Sequence, residues 1–194
     1  MLNLKLVGER MRLVVAITGA SGAVYGKRLL EVFYEKNVET HLIITNVAEN
    51  IIRDELGLSK ETIAKLATRS YANDNLTAPI TSGSFKTDGM IIVPCSTKTL
   101  AGIAHGYSDN LVLRAADVTI KERRKLVLVL RETPLSPIHL KNMLYLARLG
   151  VVILPAAPAF YFKPRTIDDL ANFIVGRILE LFGIEHNLYK KWGS

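Results

Sequence analysis

Short apolar runs alternate with longer stretches of helical period along most of this chain. Leu13-Val14-Val15-Ala16-Ile17 predicts a buried strand over Arg12–Ile17, and Leu29, Leu30, Val32 and Phe33 mark the inner face of a helix near Ala23–Glu35. The pattern then gives a strand over Thr40–Ile44, helices over Val47–Leu56 and Lys60–Ala67, and a polar loop from Ser70 to Lys86. A strand at Gly89–Val93, helices near Thr99–His105 and Asn110–Arg124, and a strand at Leu126–Leu130 follow. The last units are a helix near Ile138–Leu149, a strand at Val151–Leu154, a loop over Pro155–Arg165 and a helix at Ile167–Phe182. Strands alternating with helices predict a doubly wound, mostly parallel α/β sheet of about five strands with helices on both faces.

Residues 1–10 show no clear period and read as an N-terminal extension, which leaves 11–194 as a single α/β domain. Apolar residues make up 49% of the 194, as expected where parallel strands are covered on both sides. No apolar run reaches the ~20 residues of a membrane span, and no long apolar leader opens the chain, so the expected location is cytoplasmic.

Lysine and arginine (25) exceed aspartate and glutamate (18), but the excess forms neither a tail nor a basic helix with interleaved aromatics. Phosphorylated small molecules fit that distribution better than nucleic acid. One cysteine and four scattered histidines give no zinc pattern and no disulfide framework, so no metal is expected.

Candidate chemistry gathers where strands end. Thr18-Gly19-Ala20-Ser21-Gly22 follows the first strand, and Pro94-Cys95-Ser96-Thr97-Lys98-Thr99 follows the third predicted strand, Gly89–Val93. Glycines permit close backbone approach, while hydroxyls and helix-start amides suit an anion. Simple helix capping is the competing reading for both turns. Thr45 adds a hydroxyl at the end of the second strand, and Cys95 reads as a small buried apolar residue rather than a nucleophile.

Arg131-Glu132 stands just past another strand, where arginine can grip phosphate and glutamate can move a proton; a surface ion pair is the alternative. Arg114 and Lys121, seven apart, share a helix face. Pro155–Pro164, with Phe160, Tyr161 and Phe162, reads as a rigid pocket wall or an oligomer contact. The spacing matches neither G-x-G-x-x-G nor a Walker A loop. From the residues alone the chain is an α/β protein holding a phosphorylated ligand.

The order of Thr18–Ala23, Ser82-Gly83-Ser84-Phe85, Pro94–Ala101, Arg114-Ala115-Ala116-Asp117, Lys121–Arg124, Arg131–Leu135 and Pro158–Tyr161 resembles the flavin prenyltransferase family, UbiX type, from about Met11 to Trp192. The resemblance implies transfer of a dimethylallyl group from dimethylallyl phosphate to N5 and C6 of reduced FMN. It also implies a flavodoxin-like fold assembled into a homododecamer with sites at subunit contacts, and a partner decarboxylase that receives the prenylated FMN.

By matching position, Gly19, Ala20, Ser21, Thr45, Ser96, Thr97, Lys98, Thr99 and Arg131 would hold FMN. Arg114, Lys121, Tyr161, Arg177 and Trp192 would hold the prenyl phosphate, and Glu55 and Glu132, with Ser21 and Lys121, would serve the chemistry. Asn75-Leu76 departs from an aspartate–tryptophan pair found in some relatives. The alternatives are a flavin-dependent decarboxylase of aromatic-acid or cysteinyl substrates, and a flavin carrier without activity of its own.

Overall fold

Six parallel strands stand in the order β3-β2-β1-β4-β5-β6. The computed structural model describes residues 10–193; the extension expected over residues 1–10 lies, Arg10 apart, outside the described residues. Along the chain run β1 (Arg12–Ile17), α1 (Ala23–Glu35), β2 (Glu39–Ile44), α2 (Asn46–Leu56), α3 (Lys60–Ala64) and β3 (Arg69–Tyr71). A single 3-10 turn at Pro79–Thr81 precedes β4 (Gly89–Cys95), α4 (Thr97–Ala104), α5 (Leu111–Lys121), β5 (Lys125–Leu130), α6 (Pro137–Arg148), β6 (Val152–Pro155) and α7 (Ile167–Leu181).

Alternation within the central strands decides the layering. Leu13, Val15 and Ile17 of β1 face α1, α2 and α7, whereas Val14 and Ala16 face α4, α5 and α6. Both sides are dry, so β1 and β4 read as continuous apolar runs rather than alternating ones. Each fully buried aliphatic side chain there contributes about 1.5–3 kcal/mol of burial.

Two expectations need correction. The sheet has six strands rather than five, because Arg69-Ser70-Tyr71 forms an edge strand paired with β2. Arg69 and Ser70 are exposed, so no apolar signal announces that strand. Likewise the helix expected to reach Ala67 ends at Ala64, and tighter turns carry the backbone from Leu66 to Ala67.

In an open sheet of this kind ligands bind beyond the carboxyl ends of the strands, where neighbouring connections leave in opposite directions. Here β1 leads through α1 to β2 on one side, while β4 leads through α4 and α5 to β5 on the other. The crevice at that point lies between the turns after β1 and β4.

Candidate functional site

The two turns are fastened to each other. Thr18, almost fully buried, donates its hydroxyl to the Pro94 carbonyl at 2.8 Å, and the same oxygen accepts the Ser96 amide at 2.9 Å. The Thr18 amide also reaches the Pro94 carbonyl, at 3.2 Å. Gly19 then passes so close to α2 that a Cβ there would lie 2.7 Å from Val47 Cγ1. No side chain fits at Gly19 without moving Val47.

A cleft of about 600 Å³ opens over this junction, within the usual range for a small-molecule site. Three helix starts meet in it: Thr45, Asn46 and Val47 of α2, Ser96–Thr99 of α4, and Asn110, Val112 and Leu113 of α5. Thr45, Ser96 and Asn110 accept from the amides of Ala48, Thr99 and Leu113 at 3.3, 3.2 and 3.1 Å. Capping and ligand binding are therefore not alternatives here. At α2 and α4 each cap satisfies one amide, while other first-turn amides lack intrahelical acceptors and carry the positive end of the helix dipole; at α5 Asn73 takes the Leu111 and Val112 amides.

Lys98 adds a full positive charge to the same wall. Val47, Val112, Leu113 and Tyr107 supply apolar surface. The donor set suits a phosphate ester, and the apolar wall suits a flat organic body. Gly19, Thr45, Ser96, Thr97, Lys98 and Thr99 of the expected cofactor set all line this cleft.

Ser21, Arg131 and Glu55 gather beside it, at the start of α1. Glu55, from α2, accepts the amides of Gly22 (2.9 Å) and Ala23 (2.9 Å), and Arg131 Nε donates to the Ser21 carbonyl at 3.1 Å. Gly22 makes the turn with φ of 102°, a left-handed conformation that favours glycine. Burial pushes the Glu55 carboxyl up, but the Ser21 hydroxyl, the two amides and the Arg131 charge together hold it below the usual range. It is a carboxylate serving as an α1 cap. Ala20 is buried within the same turn. Glu132 is exposed, with one oxygen 3.1 Å from the Thr133 amide.

The expected prenyl-phosphate residues fall into two groups. Arg114 and Lys121 lie on α5, paired with Asp117 at 2.8 Å and Glu122 at 2.6 Å. The Ser82–Phe85 turn lies against Lys121 and Glu122, held by Arg124 through the carbonyls of Gly83 (2.6 Å) and Phe85 (2.8 Å). Tyr161, Trp192 and Arg177 stand on the α7 side. Tyr161 and Trp192 meet edge-to-face at 5.1 Å, and Arg177 pairs with Glu180. Since α5 and α7 pack on opposite faces of the sheet, one chain does not bring these two groups together.

Residues that sequence reasoning left out are Asn73, Tyr107, Asp109 and Asn110 of the cleft wall, and the Thr18 bridge. Asn73 reaches α5 from the loop after β3: its carbonyl accepts the Leu111 amide at 2.7 Å and its side chain the Val112 amide at 3.2 Å. Only the N-cap signature of Asn110 was available in the sequence. Cys95 is fully buried, and burial pushes its thiol up to about 12, so it has no thiolate character.

A family model described as Flavoprotein matches residues 4–179. The flavin prenyltransferase UbiX of Methanocaldococcus jannaschii is 50% identical over 184 residues, covering 95% of this chain and 100% of that protein. A dodecameric FMN-dependent UbiX-like decarboxylase from Escherichia coli O157:H7 superposes with a TM-score of 0.93 at 52% identity, covering 95% of this chain and 100% of that one. AnUbiX (PadA1), solved with FMN and dimethylallyl pyrophosphate, superposes with a TM-score of 0.94 at 48% identity, covering 96% of this chain and 99% of the other.

Proposed function

The chain belongs to the flavoprotein family and, within it, to the flavin prenyltransferases, and from that premise we propose that it joins a dimethylallyl group from dimethylallyl phosphate to N5 and C6 of reduced FMN. The observation that carries this reading is the convergence of Gly19, Thr45 and Ser96–Thr99 on one cleft. Its amides, hydroxyls and Lys98 suit the FMN phosphate, and its apolar wall suits the ring. When bound, reduced FMN supplies the electron-rich positions that take up the prenyl carbons.

The chain's own residues have three tasks. Arg114, Lys121 and Arg177 hold the donor phosphate and stabilise the negative charge that grows on it as the allylic C–O bond breaks. Tyr161 and Trp192 present aromatic faces to the positive charge left on the prenyl fragment. Glu132 takes the proton lost from C6, while Glu55 keeps the Gly19–Ala23 turn in shape.

Because Arg114 and Lys121 stand across the sheet from Arg177, a second copy of the chain completes the phosphate site. The dodecameric relative from Escherichia coli supports such an assembly. The product, in this reading, serves a partner decarboxylase as its cofactor.

Replacing Lys121 with glutamine tests the division of labour. The expected result is a KM for dimethylallyl phosphate raised about tenfold or more, as loss of a charge-assisted contact implies, with FMN affinity unchanged. Loss of FMN binding with an unchanged KM for the donor would overturn the assignment.

A further inference from the structure

The segment after α7 folds back along that helix, and one carboxylate ties it down. Glu180 Oε1 accepts the Tyr189 hydroxyl at 3.0 Å and lies 3.3 Å from Lys191 Nζ. The buried His186 Nε2 faces the same oxygen at 3.5 Å, a distance too long for a hydrogen bond. The other oxygen, Oε2, takes the Arg177 guanidinium. A single side chain thus joins a guanidinium on the helix to two groups of the returning segment, Tyr189 and Lys191.

An independent feature shows that the helix is shaped for this contact. Gly176 occupies the middle of α7, where glycine weakens a helix by about 1 kcal/mol relative to alanine. A Cβ at Gly176 would lie 2.5 Å from Tyr189 Cε1 and 2.7 Å from His186 Cε1. The missing side chain is the seat on which the segment rests. Beyond Tyr189 the chain carries Trp192 onto Tyr161, and Tyr189 itself packs on Phe173 at 4.8 Å.

We propose that Glu180 is a positioning residue: it locks the Arg177 guanidinium and the returning segment into one unit, so that Arg177, Tyr161 and Trp192 are presented together to the dimethylallyl phosphate. This rests on the donor site described under the proposed function. Glu180 touches neither donor nor flavin in this scheme. It acts through Arg177 and Tyr189, and its removal weakens donor capture while leaving the cleft between the turns after β1 and β4, which Glu180 does not line, unaltered.

Glu180→Gln in the full chain is the test, read in two ways. Steady-state prenylation of reduced FMN is expected to show a kcat/KM for dimethylallyl phosphate lowered about tenfold, with FMN affinity unchanged. Trp192 is the sole tryptophan, so fluorescence anisotropy and acrylamide quenching report the segment directly, whether or not prenylation occurs. The proposal predicts lower anisotropy and faster quenching in Glu180→Gln. It also predicts the same pair of changes in Gly176→Ala, which removes the seat and keeps the carboxylate.

Unchanged anisotropy in both variants overturns the proposal, and so does an unchanged kcat/KM for dimethylallyl phosphate. A parent chain that prenylates no FMN defeats the functional reading instead, and the Trp192 signal then still decides whether Glu180 holds the segment.

Discussion

The Thr18 hydroxyl oxygen lies 2.9 Å from the Ser96 amide nitrogen and hydrogen-bonds the Pro94 carbonyl at 2.8 Å, joining the turn after β1 to the turn after β4. Every lining residue from those turns inherits its position from this bridge. Thr18→Val keeps the shape but leaves the half-buried Ser96 amide without its acceptor. That costs about 1–3 kcal/mol, and each kcal/mol lowers the melting temperature by about 2–4 °C in a chain of this size. Thermal unfolding and FMN titration check it: Thr18→Val is expected to lose both stability and FMN affinity, and Thr18→Ser to restore both.

Glu55 makes a sharper prediction because its role is a cap. Glu55→Ala removes the acceptor for the Gly22 and Ala23 amides, at a cost of about 0.5–2 kcal/mol. The folded carboxyl is held below its ordinary value. Its contribution is therefore complete above the unfolded value, near 4.3, and is lost as the pH falls through the lowered folded value. Denaturant unfolding is expected to show the parent and Glu55→Ala converging in stability below about pH 4. A gap that stays constant as the pH falls well below 4 contradicts a capping carboxylate.

Two buried histidines set the acid limit of the fold. His41 hydrogen-bonds Tyr71 at 2.8 Å and Glu39 at 3.0 Å, and His186 belongs to the returning segment and packs against Gly176 of α7. Burial is the largest influence on both rings and pushes them down, against the raising effect of Glu39 on His41 and of Glu180 on His186. The unfolded chain takes up protons near pH 6.5 that the folded chain refuses. Stability due to these rings is thus present above about pH 6.5 and declines as the pH falls below it, by at most about 1.4 kcal/mol per pH unit per ring. Unfolding free energies at pH 7 and pH 5 are expected to differ accordingly, and the difference to shrink in His41→Asn. An identical slope in that variant would remove His41 from the account.

Much of this was legible from local pattern. Arg12–Ile17 and the Thr18–Gly22 turn announce themselves because a buried parallel strand must be apolar and its ligand-facing end must not be. The Ser96–Thr99 turn reads the same way, and so does the shared helix face of Arg114 and Lys121. What stayed hidden depends on which elements become neighbours. Arg69–Tyr71 is an edge strand with two exposed residues, so nothing in its own composition marks it. Asn73 and Tyr107 reach the cleft only because loops fold over α5 and α4. Tyr161, Arg177 and Trp192 carry no periodic signal linking them. Their grouping comes from resemblance alone; the fold places Arg177 on α7, Tyr161 in the loop before it and Trp192 in the segment after it, the two aromatics in edge-to-face contact.

The most direct measurement is anaerobic. The full chain is mixed with FMN, dithionite and dimethylallyl monophosphate, and the extracted flavin is analysed by mass spectrometry, with deuterium at flavin C6 to follow closure of the new ring. A flavin that gains one prenyl unit and loses its C6 deuterium is the predicted result. Unmodified FMN, with the diphosphate donor tried as well, would contradict the account and leave a flavin-binding protein without this chemistry.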